Sequence, residues 1–97
     1  MSVNTARGEV AASLAGADRR LCLTLGALAE IESGLGVEGV EALAARLRTL
    51  SAGDLMVVLA ALLRGGGEHA LADGLAEADV SPGEAAEAVA AAFAAAA

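Results

Sequence analysis

The sequence predicts a mainly helical α+β domain in which an N-terminal β-hairpin packs on a bundle of four or five short helices. Three observations lead there. Apolar residues alternate over positions 8–25, the period of a strand. They then recur at helical spacing through the rest of the chain. Two serine-initiated capping signatures, Ser51 to Asp54 and Ser81 to Glu84, mark where helices begin. Residues 1–7 read as a flexible lead and 8–97 as a single domain, with 8–25 the hairpin and 26–97 helical. At 97 residues one domain is the ceiling.

Each element follows from a local pattern. Val10, Ala12 and Leu14 fall on one face of the first segment, and Leu21, Leu23 and Leu25 on one face of the second. Between them Ala15-Gly16-Ala17-Asp18 holds the glycine and aspartate that a tight reversal needs. Leu25, Leu28, Ile31 or Glu32, and Leu35 describe a short helix that Gly34 and Gly36 bring to an end. Val37, Val40, Leu43, Ala44, Leu47 and Leu50 mark a second amphipathic helix, its polar face carrying Glu38, Glu41, Arg46 and Arg48.

Ser51 as N-cap and Asp54 at N3 open the most apolar element, with Leu55, Met56, Val58, Leu59, Leu62 and Leu63. Apolar residues cover more than half of its circumference, so it is expected at the centre of the bundle. Arg64 sits in its last turn, where the dipole favours a cation, and Gly65-Gly66-Gly67 stops it. A weaker helical segment spans about Glu68 to Glu77, with Leu71 and Leu75 four apart. Ser81, Pro82 at N1 and Glu84 at N3 then begin a terminal helix running to about Ala95. Its bulky apolar groups are Val89 and Phe93; the rest is mostly alanine, the best helix former.

Composition narrows the function classes. The chain is 57% hydrophobic but 1% aromatic, with 27 alanines and 12 glycines. Alanine fills helices without filling volume, so the core must be thin and built from leucine and valine. A cleft enclosing a catalytic constellation does not fit such a chain. Thirteen carboxylates face six arginines and no lysine, a net charge of −7. Nucleic-acid binding draws most of its affinity from a basic patch, and an anionic membrane surface repels an acidic chain for the same reason. Neither partner is expected. Cys22 stands alone, so no intramolecular disulfide forms, and with the single His69 it cannot build a structural zinc site. The N-terminus lacks the apolar run of a signal peptide, and the longest apolar stretch, Ala88 to Ala97, is half a membrane span. A soluble, cytoplasmic protein is expected.

Motifs that could carry chemistry give way to structural readings. Gly34-Leu35-Gly36-Val37-Glu38-Gly39 matches G-x-G-x-x-G, but a dinucleotide site needs a preceding strand, and a helix precedes this one. Gly65-Gly66-Gly67 beside Arg64 could cradle a phosphate, yet the Walker pattern and its lysine are missing. It reads as a flexible helix stop or an adaptable binding loop. Glu30 and Glu32 face different directions on a helix, and Glu84 and Glu87 share a face among alanines where they stay solvated. Cys22 reads as strand filler, and His69 has no triad partner in sequence. No catalytic, cofactor or metal residues are assigned, and no enzyme is expected. What remains is contact through apolar surface. The candidate protein-interface residues are Leu62, Arg64, Gly65, Gly66, Gly67, Val89 and Phe93. Val89 and Phe93 either dock in cis against Met56 and Leu59 or form a stripe for another protein, in-cis packing being favoured.

Four stretches in series carry a resemblance. They are Ala6-Arg7-Gly8-Glu9-Val10, Leu23 to Glu32 (LTLGALAEIE), Leu50-Ser51-Ala52-Gly53-Asp54-Leu55, and Leu62-Leu63-Arg64-Gly65-Gly66-Gly67. In this order and spacing the chain resembles the small tail-region proteins of gene transfer agents and related tailed phages. That family is variously called a tail tube protein or a tail assembly chaperone and sits among tail genes in alphaproteobacteria. The resemblance covers about residues 6 to 67, and the segment from Glu68 to Ala97 matches only in style, as an acidic stretch and an Ala-rich helix. It implies a non-enzymatic role in building a phage-like tail in the bacterial cytoplasm, with retention in the phage-like particle left open and no catalytic residues to carry over. The leading expectation is a tail assembly chaperone that binds the tape-measure and tail tube proteins; self-association into a homo-oligomer is compatible with it. A structural tail tube or minor tail component is the alternative, disfavoured because tube rings usually need a large β-sandwich or barrel. A small protein-binding adaptor with no phage connection is the second.

Overall fold

The computed structural model describes residues 3–96. Within them, strands β1 (Val10–Leu14) and β2 (Ala17–Leu21) form a two-stranded antiparallel hairpin. Five helices follow: α1 (Leu25–Leu35), α2 (Val40–Leu47), α3 (Ala52–Gly65), α4 (His69–Asp73) and α5 (Pro82–Ala96). The chain is the α+β, mainly helical fold that its periodicity predicts. Of the lead segment 1–7, residues 1 and 2 lie outside the described residues. Thr5–Arg7 makes one 3₁₀ turn, capped by the Asn4 side chain, which accepts from the Ala6 N–H.

The hairpin reverses through Ala15 and Gly16, with φ of 51° and 80°, so that Leu14 pairs with Ala17 and Val10 with Leu21. A two-residue loop with both φ positive matches the right-handed twist of the strands it joins. Leu14 and Leu21 are buried, while Ala11, Ser13 and Arg20 face out. The second strand is shorter than its alternation suggests. It stops at Leu21; Leu23 lies in the connection, and Leu25 begins α1 with 83% of its surface exposed. The reason is a stronger local signal than alternation. Thr24 Oγ1 accepts from the Ala27 N–H at 3.0 Å and caps a helix there.

Two helix ends also move. Gly36, with φ of 70°, is the C-cap of α1, but Gly34 lies inside the helix. A Cβ at Gly34 would collide with the Val57 side chain, so this glycine serves the approach of α1 to α3 rather than termination. Helix α2 begins at Val40 and ends at Leu47, leaving Val37 and Leu50 outside it but packed on the core. The segment after α3 divides at Gly74 into α4 and a 3₁₀ turn, Leu75–Glu77. Both capping signatures form as reciprocal boxes. The Ser51 hydroxyl accepts from the Asp54 N–H at 3.1 Å, and the Ser81 hydroxyl from the Glu84 N–H at 3.1 Å.

Helix α3 is the centre, as its breadth of apolar residues requires. It touches α1, α4, α5 and β2, and Val58, Leu59, Ala61, Leu62 and Leu63 are fully buried. Helix α5 crosses it with Ala85, Ala88, Val89 and Ala92 turned inward, and also covers β1. Each fully buried leucine or valine contributes roughly 1.5–3 kcal/mol, and so few are present that each matters.

The triple glycine at the end of α3 has a packing role. A Cβ on Gly65 would collide with the Cys22 carbonyl, and one on Gly66 with the Arg20 carbonyl. The connection from β2 lies directly on this end of the helix, and the Cys22 N–H donates to the Leu62 carbonyl at 3.0 Å. Gly67 instead meets open space but holds a φ of 89°. Leu62→Ala is expected to cost about 2–5 kcal/mol in urea unfolding. Gly66→Ala is expected to cost about 1–3 kcal/mol, because backbone rather than a flexible side chain must shift. Gly53→Ala, whose Cβ meets only Ser51 Oγ at 3.8 Å, gains up to about 1 kcal/mol. Equal stabilities for the two glycine variants would contradict the close approach.

Candidate functional site

The surface of this molecule carries two adjoining apolar grooves, walled by the start of α3 and by the chain from Leu75 on through α5. The first, about 400 Å³, runs between α3 and the 75–82 segment, over Leu55, Met56, Leu59, Leu75, Val80 and Pro82. The second, also about 400 Å³, lies between the α2–α3 corner and α5, over Leu47, Leu50, Leu55, Val89 and Phe93. Leu50 and Leu55 line both, so the two form one surface bent around the start of α3. Met56 is 41% exposed in the first groove.

An ion pair holds the shared corner. Arg46 Nε and Nη2 donate to the two Asp54 carboxylate oxygens, both at 3.0 Å, while Nη1 donates to the Leu35 carbonyl at 3.1 Å. One guanidinium thereby ties α2 to the end of α1 and the start of α3, a bidentate geometry that only arginine offers. The Arg46 hydrogen bonds hold the Asp54 carboxyl below the usual carboxylate range, against an opposing push from burial and with further help from Ser51. The Arg46 guanidinium is raised in turn by Asp54. On the opposite wall, the Ser81 N–H donates to Glu84 Oε1 at 3.0 Å; that bond and the Ser81 hydroxyl hold the Glu84 carboxyl low.

The seven residues singled out in sequence fall in three places, with Gly67 in open space beside the first of them. Leu62 is wholly buried in the core, and Gly65 and Gly66 lie against the β2 connection, so these three hold the fold together. Arg64 is half-exposed at another depression, pairing with Glu30 of α1 and, at 3.3 Å, with Asp73 of α4. Val89 is buried and Phe93 half-buried at the second groove. Their groove neighbours are Leu47, Leu50 and Leu55, while Met56 stands in the adjoining groove. Leu50, Leu75 and Val80 escaped notice as site residues because each looks like an ordinary core position in one dimension. Among the described residues no group of three or more His, Cys, Asp or Glu is placed to hold a metal ion. No described helix is long and apolar enough to cross a membrane.

The sequence model of one protein family, the phage tail tube protein family described as GTA-gp10, matches residues 7–97. The match covers nearly the whole chain, and the protein belongs to that family, a structural family of phage tails. No curated protein and no solved structure matches it.

The corner predicts a particular acid response. Asp54 and Glu84 have folded-state pKa values below their ordinary ones. The stability they lend is therefore complete above pH about 4.5 and drains away as pH falls through the depressed folded-state values. In thermal melts from pH 7 downwards, Asp54→Asn is expected to lower Tm at neutral pH and to flatten the acid slope. An acid slope unchanged by Asp54→Asn would sink this assignment.

Proposed function

We propose, from the premise that the chain belongs to this tail family, that it acts as a tail assembly chaperone. In this reading it holds helical segments of the tape-measure protein and meets the tail tube protein during assembly, in the cytoplasm of a bacterial host. The observation that carries it is the bent apolar groove around the start of α3, on Leu50 and Leu55. A groove walled by helices and floored with leucine suits an amphipathic helix, which anchors through residues spaced i, i+3, i+4 and i+7. Phe93, with Val89 behind it, belongs to this docking surface. Leu62, Gly65 and Gly66 hold the core and hairpin beneath it, Gly67 turns the chain at the end of α3, and Arg64 braces α1, α3 and α4 there.

The family's own description favours a second reading, a structural component of the tube. Against it stands the small sheet: two five-residue strands offer little material for a tube wall. Residues 8–97 act as one unit under either reading, and no catalytic step is assigned.

The two readings differ in where the protein ends up. Quantitative mass spectrometry of purified particles against the lysate is expected to find it depleted from particles, and tape-measure fragments are expected to capture it from the lysate. Presence at one copy or more per tube subunit in purified particles would establish the structural reading instead. The groove variant Leu50→Asp is expected to abolish tape-measure capture while its circular dichroism stays helical.

A further inference from the structure

Charge is unevenly divided along this chain. Residues 1–64 hold all six arginines and seven carboxylates, whereas residues 65–97 hold six carboxylates and no lysine or arginine. Two of those six are matched: Glu68 lies 3.9 Å from Arg19, and Asp73 lies 3.3 Å from Arg64. Glu77, Asp79, Glu84 and Glu87 are exposed and make no ion pair among the described residues. Glu77 and Asp79 lie within the stretch that walls the first groove, and Glu84 and Glu87 follow it at the start of α5. Leu75, Ala78 and Val80 line the groove, and Glu77 and Asp79 alternate with them along the chain. Glu84 lies next to Ala85, another lining residue, and Glu87 follows one turn later on α5.

We infer that the first groove takes a cationic amphipathic helix of a partner protein, an inference that rests on the helix-docking reading above. The groove is apolar within, and the exposed carboxylates Glu77, Asp79 and Glu84 are immediate chain neighbours of its lining residues. A neutral amphipathic helix gains only burial there, and an anionic one is repelled. A helix whose apolar stripe is flanked by lysine or arginine gains both, because the long stems lie along apolar surface while the charges meet these carboxylates. Met56, flexible and exposed in the wall, lets the groove adapt to the stripe it receives. Pairs of this kind act on encounter and choice of partner, so the preference falls as salt screens it.

The test uses the full chain and three synthetic helices of about five turns. They share one leucine and alanine face and differ only in a polar face of lysine, glutamine or glutamate. Fluorescence anisotropy is expected to rank lysine about tenfold above glutamine, the scale of a few exposed ion pairs, with glutamate weakest. The triple variant Glu77→Gln, Asp79→Asn, Glu87→Gln, which leaves the Ser81–Glu84 cap intact, is expected to erase the preference. Met56→Glu makes the protein more acidic yet obstructs the groove, so it is expected to lose the lysine helix; unchanged or tighter binding would reduce the effect to bulk charge and overturn the inference. Equal affinity for all three helices, or a preference that survives the triple variant, would overturn it too. If tape-measure fragments still bind the wild-type chain in that case, the charge assignment fails alone; if they do not, the chaperone reading fails as well.

Discussion

The fold depends on a contact between two stretches of backbone. The end of α3 and the chain leaving β2 lie so close that neither Gly65 nor Gly66 has room for a Cβ. A two-stranded hairpin is marginal by itself, and this one is made largely of alanine and charged residues. It is held by resting on α3, where Leu14 and Leu21 enter the core and the Cys22 N–H finds the Leu62 carbonyl. Glu68, just past the glycines, adds a hydrogen bond from the Arg20 N–H at 3.0 Å. The glycines therefore end a helix, and two of them, Gly65 and Gly66, also seat the hairpin.

Alanine sets the shape of everything else. Ala85, Ala88 and Ala92 let α5 approach α3 closely, but they bring no bulk to fill the space on either side. Leucines of α3 and the neighbouring turns are then left uncovered along their flanks, and the two grooves are the result. The thin core and the grooves have one cause. A chain with larger residues on α5 would bury the same leucines and lose the grooves.

The polar groups make that surface definite. Helix α2 places only Leu43 fully in the core, and Arg46 fastens it by reaching the Leu35 carbonyl and Asp54 together. Arg64 does similar work on the far side, joining Glu30 and Asp73 around α3. Family membership supplies the setting, a phage-type tail, and under the proposed function the grooves are where a partner helix docks. In the inference drawn above, the carboxylates beyond residue 64 that pair with no cation among the described residues are what would select a partner.

Much of this was legible in the chain itself. Helical periodicity, the serine caps at 51 and 81 and the broad apolar face of α3 determined the fold class, because these signals act within a turn or two of backbone. That nucleic acid is not expected as a partner is likewise a reading of composition, since net charge is −7 and lysine is absent. Local signals also misled where two competed: alternation carried β2 on to Leu25, but the Thr24 cap claimed that residue for α1. Gly34 looked like a stop and proved to be a notch for Val57, and Leu62 looked available and proved to be core. Leu50 and Leu55 belong to different elements, and nothing in one dimension says that they line two grooves together. That was decided only in the tertiary structure, since a groove is a gap between elements and depends on how closely their backbones can meet.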